Sequence, residues 1–182
     1  MSYSNTQYLI NLLESYNIQI PTNILYDISF NLHNNKYLHK HISFLINTKN
    51  NEILSYGFNY YLNSNKFPFS LHSEVNVINK HYKKKLTKNM LKVKKNLIII
   101  KLSKIGIIGN SKPCRHCANF IYNNYDNLKL SKIYYSTKQN ILEELNKQDL
   151  QEAHFKIAAG FKKHSINTVS YTHLTLPTKR IV

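Results

Sequence analysis

The run from Asn96 to Leu102, Asn-Leu-Ile-Ile-Ile-Lys-Leu, constrains the fold more than any other part of the chain. It is short, apolar at successive positions and rich in β-branched side chains. A strand built from it has no face to offer water and must be covered on both sides. That predicts the central strand of an α/β domain. At 182 residues the chain is long enough for one such domain with a proper core and short for two.

The segments around this strand alternate between helical and strand periods. Tyr8, Leu9, Leu12, Leu13 and Tyr16 fall at helical spacing, and Pro21 separates this helix from the next segment. A second helix carries Ile24, Ile28 and Leu32, with Thr22 as its cap and Asn34-Asn35 as its end. From His41 the period becomes two. Ile42, Phe44 and Ile46 share one face, Lys49-Asn50-Asn51 supplies a turn, and Glu52 to Phe58 returns, which predicts a β-hairpin. Asn59 to Ser70 reads as a loop. Leu71, Val75, Ile78 and Tyr82 then mark a helix that begins with His72, and the basic stretch Lys80 to Lys95 protrudes after it.

Beyond the central strand come a loop from Lys104 to Lys112, a helix from Cys114 to about Tyr125 with Pro113 suited to its start, and a strand from Ile133 to Ser136. Ile141 to Leu145 fits either a hairpin partner of that strand or the start of a helix. Asp149 to about Lys163 carries a helical apolar side in Phe155, Ile157, Ala158 and Phe161. Residues 169–182 contain no Asn and no acid, and place Thr172, Thr175 and Thr178 at even spacing. They resemble translated sequencing-adapter read-through, so a single domain is expected over residues 1–168, followed by an artefactual tail.

Composition removes several classes. The start Met-Ser-Tyr-Ser-Asn-Thr lacks the basic opening and apolar stretch of a secretion signal, and nothing later approaches a membrane span, so a soluble cytoplasmic protein is expected. The two cysteines sit together at Cys114 and Cys117, which rules out a disulfide framework and leaves ligation, redox chemistry or packing. A formal charge of +16 invites a nucleic-acid partner. The same charge also arises from the Asn, Lys, Ile and Tyr that AT-rich codons favour throughout the chain.

Two fragments carry chemistry. His72-Ser73-Glu74 opens one helix, Pro113-Cys114-Arg115-His116-Cys117 opens another, and the apolar strand lies between them. A Cys-x-x-Cys alone is equally a redox motif, and a His-x-E alone is usually a solvated helix end. Together they spell H-x-E and P-C-x-x-C, an established signature of zinc nucleobase deaminases. Thiols in the first turn of a helix are stabilised as thiolates by the helix dipole and the free backbone N–H groups. The two-residue spacing lets both sulfurs reach one tetrahedral ion, and His72 supplies a third ligand, leaving a fourth position open. Zinc of this type brings the pKa of its water toward about 7. Glu74 is then placed to take the water's proton, protonate the ring nitrogen and assist the departure of ammonia. Both helix starts would converge at the carboxyl edge of one sheet, where sites in α/β folds form.

With these residues in view, the chain resembles the cytidine and deoxycytidylate deaminase superfamily, and within it divergent members encoded by large DNA viruses. The order β-hairpin, Gly57-Phe58-Asn59, His72-Ser73-Glu74, apolar strand, Gly109 to Cys117, then Ile133 to Ser136 matches the family layout from about His41 to Ser136. The resemblance implies a three-layer α/β/α sandwich around a five-stranded mixed sheet, one zinc ion per chain, assembly as dimers or tetramers, and a hydrogen bond from Asn59 to the substrate sugar. Asn59 also suits a turn on its own account. Ser73 departs from the small apolar residue usual between the histidine and the glutamate. The stretch from His72 to Cys114 is longer than the family norm, the excess lying in the lysine-rich segment. Histidine as first ligand is similar to the deoxycytidylate, RNA-adenosine and polynucleotide branches, whereas the short connection after Ser136 resembles the free-cytidine branch and permits an antiparallel fifth strand.

The leading expectation is therefore a zinc-dependent hydrolase that converts the cytosine of cytidine, deoxycytidine or dCMP to uracil with release of ammonia. A second is the same chemistry on a base within RNA or DNA, with Lys83, Lys84 and Lys85 contacting the backbone and Tyr60, Tyr61 or Phe67 stacking on a base. A third is a catalytically silent, zinc-containing nucleic-acid-binding module, and a redox protein is the fourth.

Overall fold

The structure, a computed structural model, describes residues 6–34, 39–63, 68–84 and 92–151. The chain runs α1 (Gln7–Glu14), α2 (Thr22–His33), β1 (His39–Asn47), β2 (Ile53–Phe58), β3 (Tyr60–Asn63), β4 (Pro68–Leu71) and α3 (Ser73–Lys83). It continues with β5 (Lys95–Ser103), β6 (Ile108–Gly109), α4 (Arg115–Leu128), β7 (Leu130–Ser136), β8 (Leu142–Leu145) and a 3-10 turn at Asp149–Gln151. Lys85, Phe67, most of the helix expected over Asp149 to Lys163, and the tail from Val169 lie outside the described residues.

The main sheet has the order β2-β1-β5-β7-β8, with the two-residue β6 attached to the end of β5. β5 is central, as its apolar run requires. It pairs antiparallel with β1 from His39 against Ser103 to Asn47 against Lys95, and parallel with β7 from Lys95 against Leu130 to Ile99 against Tyr135. The sheet is thus mixed. β8 pairs antiparallel with β7, with Ile133 opposite Leu145 and Ser136 opposite Leu142. Ile141 to Leu145 is therefore a hairpin partner and not the start of a helix.

Alternation along the strands sorts side chains to two layers of helix. Ile42, Phe44 and Ile46 of β1 and Ile98, Ile100 and Leu102 of β5 bury against Leu9, Leu12 and Leu13 of α1 and Ile24, Ile28 and Leu32 of α2. On the opposite face Leu45, Leu97, Ile99 and Ile133 pack with Val77 and Ile78 of α3 and Ala118 and Ile121 of α4. Ile98 and Ile99, on opposite faces and both essentially inaccessible, each contribute about 1.5–3 kcal/mol of apolar burial. The result is the three-layer α/β/α sandwich with a mixed sheet of five strands and the short β6 at the end of β5.

Some local expectations are corrected. Pro21, not Thr22, occupies the cap of α2: its carbonyl receives Ile24 N–H and Leu25 N–H, and Thr22 is already helical. The expected loop from Asn59 to Ser70 contains a second hairpin, β3 with β4, in which Tyr60 lies opposite Leu71. The helices also begin one residue later than expected, with His72 and Cys114 at the cap positions of α3 and α4.

One glycine sets the height of α3 above the sheet. A Cβ at Gly57 in β2 would lie 2.7 Å from the Val77 nitrogen and 3.1 Å from its Cα. Only a bare α-carbon lets the helix backbone approach this closely. Ser55, two residues earlier on the same face of β2, donates to the Val77 carbonyl at 3.5 Å. At the other end Asn76 Nδ2 donates to the Phe58 carbonyl at 2.7 Å, so the first turn of α3 is tied to the end of β2.

Candidate active site

The carboxyl end of β5 is where the functional side chains gather. Because β1 runs antiparallel to β5, the start of β1 and the end of β2 lie at this same edge, with His41 opposite Lys101 and Ile42 opposite Phe58. α3 enters here through His72. α4 enters through Cys114, whose carbonyl accepts from Ala118 N–H at 2.9 Å.

The approach to Cys114 is held by two buried serines. The parallel β5–β7 ladder ends at Ile99 and Tyr135, and Ser111 fills the gap beyond it. Its hydroxyl donates to the Ile99 carbonyl at 2.6 Å and accepts from Ser136 N–H at 2.8 Å, while Ser136 Oγ donates to the Gly109 carbonyl at 2.7 Å. Both serines are buried. These bonds satisfy backbone groups that the diverging strands would otherwise orphan, and they fix the chain two residues before Pro113.

The structure brings His72, Cys114 and Cys117 together, with their ligating atoms all within 4.8 Å of one another. His72 Nδ1 lies 3.5 Å from Cys114 Sγ and 3.2 Å from Cys117 Sγ. Zinc–sulfur and zinc–nitrogen bonds of about 2.3 and 2.0 Å at a tetrahedral angle give a nitrogen–sulfur separation of about 3.5 Å. The three donors therefore fit one small tetrahedral cation, and two thiols with an imidazole are a donor set that suits zinc. Cys117 is buried and Cys114 half-buried.

Electrostatics reinforce this geometry. The Cys114 thiol is pulled down to about 3, first by the hydrogen bond from Cys117 and also by His72, against the opposing effect of burial. Cys117 is pushed up by that same bond and by burial. The opposite shifts share one cause, the hydrogen bond between the two thiols, at the start of α4 where the helix dipole favours negative charge on sulfur. The hydrogen bond to Cys114 raises His72.

Glu74 sits in the first turn of α3, 1 % exposed. Burial pushes its carboxyl up, against the opposing pull of its backbone N–H and of His72. Ser73 Oγ donates to Glu74 Oε2 at 3.1 Å, and the Ser73 and Ser43 hydroxyls are 2.8 Å apart. Asn59 lies at the same edge. Its Oδ1 accepts from His41 N–H at 2.8 Å, and its own N–H donates to the His41 carbonyl at 3.1 Å. Asn59 is thus part of the sheet's last rung as well as a candidate for substrate contact.

Lys83 and Lys84 are not at this edge. They lie at the far end of α3, where with Lys80, Ser55 and Tyr56 they line a cleft of about 330 Å³. Lys84 Nζ donates to the Leu54 carbonyl at 2.5 Å, and Lys80 Nζ lies 5.4 Å from the Tyr56 ring centre. Sequence reasoning missed Ser43, Asn76, Ser111 and Ser136, because nothing in their local sequence separates them from other small polar residues.

Fold and site together define an α/β/α protein with a His-Cys-Cys cluster and a buried glutamate at two convergent helix starts. No family model matches the chain, and no curated protein does. Among solved structures it is similar to a cytidine deaminase from Burkholderia pseudomallei, with a TM-score of 0.46 and 12% identity over 75% of this chain and 100% of that one. It is also similar to the dCMP deaminase from the cyanophage S-TIM5 in complex with dCMP and dUMP, with a TM-score of 0.36 and 16% identity over 76% of this chain and 98% of that one.

Proposed function

We propose that this chain is a zinc-dependent hydrolytic deaminase that converts the cytosine of a nucleoside or nucleotide to uracil and releases ammonia. The observation that carries the reading is the buried Glu74 two residues from His72, beside a three-donor cluster that fits one zinc ion. A structural zinc site would take four protein ligands, and would give a desolvated carboxyl beside it no work.

His72, Cys114 and Cys117 would hold the metal, which when bound supplies Lewis acidity and an activated water at neutral pH. Glu74 takes a proton from the attacking water and passes it to N3 of the cytosine as the C4–oxygen bond forms. It then carries the water's second proton to the departing amine, so that C4–NH2 and water become C4=O and ammonia. A carboxyl whose proton affinity is raised by burial is suited to both taking and giving that proton. Asn59, its Oδ1 anchored on His41, would present its amide to the substrate sugar.

A second reading, the same chemistry on a base within RNA or DNA, is favoured by the convergence of Lys80, Lys83 and Lys84 on one cleft with Tyr56. Lysine at a helix C-terminus also complements the dipole without any partner, which is why the free nucleotide is put first. No helix among the described residues is long and apolar enough to cross a membrane.

Ammonia release from cytidine, deoxycytidine, their monophosphates and short RNA tests both readings. Turnover of a free nucleoside or nucleotide that is unaffected by salt supports the first. Turnover confined to polynucleotide and lost steeply between about 50 and 200 mM salt, in the manner of phosphate contacts, would replace it with the second.

A further inference from the structure

Behind Glu74 lies a polar chain that the deaminase reading does not use. Ser43 of β1 and Ser73 of α3 are both fully buried, and their hydroxyls are 2.8 Å apart. Ser73 Oγ in turn lies 3.1 Å from Glu74 Oε2. A serine hydroxyl has one proton to give. Ser73 gives its proton to the carboxylate, so the proton between the serines comes from Ser43, and the bonds run in one direction: Ser43 to Ser73 to Glu74.

The chain begins on a rigid element. Ser43 sits in the middle of β1, flanked by Gly57 of β2 and Ile99 of β5, so its backbone is fixed by the sheet. The terminal torsion of a glutamate is broad and roughly two-fold; the Glu74 backbone N–H and the Cys117 thiol also bear on the carboxylate, and Ser73 is the hydroxyl that reaches its Oε2. Burying two hydroxyls costs free energy unless each is bonded. Leu45, one step further along the same face of β1 as Ser43, is apolar and fully buried.

We propose that Ser73, backed by Ser43, is a positioning residue that locks the Glu74 carboxylate by its Oε2 and leaves the other oxygen aimed at the reacting water. This role rests on the deaminase reading and deepens it. It acts through orientation, so its loss slows turnover without weakening substrate binding or metal retention.

The test uses the full zinc-loaded chain, with wild type, Ser43→Ala, Ser73→Ala and Glu74→Gln compared on whichever substrate of the panel wild type turns over fastest. kcat falls about tenfold in Ser73→Ala, the scale of one hydrogen bond to a charged group, and about two- to threefold in Ser43→Ala, where the donor to Glu74 remains but loses its backing. KM stays within about twofold in both, and zinc stoichiometry is unchanged. Wild-type kcat in Ser73→Ala overturns the role, as does a fall in kcat that merely tracks lost zinc or is matched by KM. If Ser73→Ala does not fold, Ser43→Ala decides, and an unaltered kcat there overturns it. A wild type that deaminates nothing on the panel overturns the activity and the role together. Activity lost in Glu74→Gln but intact in Ser73→Ala overturns the role alone.

Discussion

His72 Nδ1 and Cys117 Sγ, 45 positions apart in the chain, lie 3.2 Å from one another across the starts of two helices. With Cys114 they form a cluster that could hold one metal ion. The protein is expected to purify with one zinc per chain, and Cys114→Ser or Cys117→Ser to lose it, as measured by elemental analysis. At free zinc about a hundred times Kd, binding adds about 2.7 kcal/mol to stability. Chelation should lower the unfolding midpoint accordingly, and thiol titration should be blocked until the metal is removed.

Gly57 and Val77 make a second close relationship. With a Cβ placed 2.7 Å from the Val77 nitrogen, Gly57→Ala must push α3 off the sheet. We expect a loss of about 1–3 kcal/mol, typical of overpacking, in denaturant unfolding. Because α3 carries both His72 and Glu74, turnover should fall further than stability alone explains. The comparison with Ser55→Ala, on the same face of the strand but without the steric conflict, isolates the displacement.

His81 predicts a pH dependence. It is 2 % exposed, and its Nδ1 has no hydrogen-bond partner among the described residues. Burial, with the Lys95 and Lys84 charges, lowers it to about 4. An unfolded histidine titrates near about 6.5, so below that pH the unfolded chain takes up a proton that the folded chain refuses. The contribution of neutral His81 is complete above about pH 6.5, declines as pH falls, and is lost by about pH 4, a change of about 1–3 kcal/mol. His81→Phe should flatten the stability profile across that window, measured by thermal unfolding at fixed ionic strength.

Asn59 has one observed duty, its bonds to the His41 backbone, and one proposed. Asn59→Asp keeps the Oδ1 that receives His41 N–H and removes the amide proposed to meet the sugar. It should leave the unfolding midpoint within about 2 °C and raise KM about tenfold or more. Asn59→Ala should raise KM similarly and also cost about 1 kcal/mol of stability.

The parts of this fold that were legible in sequence are those where chemistry is local. The apolar run at Asn96 to Leu102 had to be central because neither face could meet water, and His72, Glu74, Cys114 and Cys117 stood out because each pair sits two or three positions apart at the start of a helix. The alternation of Ile42, Phe44 and Ile46 likewise gave the hairpin. The hidden parts depend on contacts between distant segments. Ser43 and Ser73 are meaningful only once β1 lies under α3, and Ser111 and Ser136 only once two strands diverge. The β3–β4 hairpin has strands of four residues outside the main sheet, too short to show a period. Ile141 to Leu145 fits helix and strand alike until β7 offers an edge to pair with. Lys83 and Lys84 read from their charge as contacts for a nucleic-acid backbone, and α3 carries them to the end away from His72.

If Glu74 moves protons beside a zinc ion held by His72, Cys114 and Cys117, loss of its carboxylate must cost turnover and leave the metal in place. The most direct measurement is ammonia release by zinc-loaded wild type and Glu74→Gln on the nucleoside and nucleotide panel, with zinc content determined in the same samples. One zinc is expected in both proteins, with a rate about 10²–10⁴-fold lower in the variant, the range for removal of a general acid–base group. Equal rates in the two proteins at equal zinc content would contradict the claim.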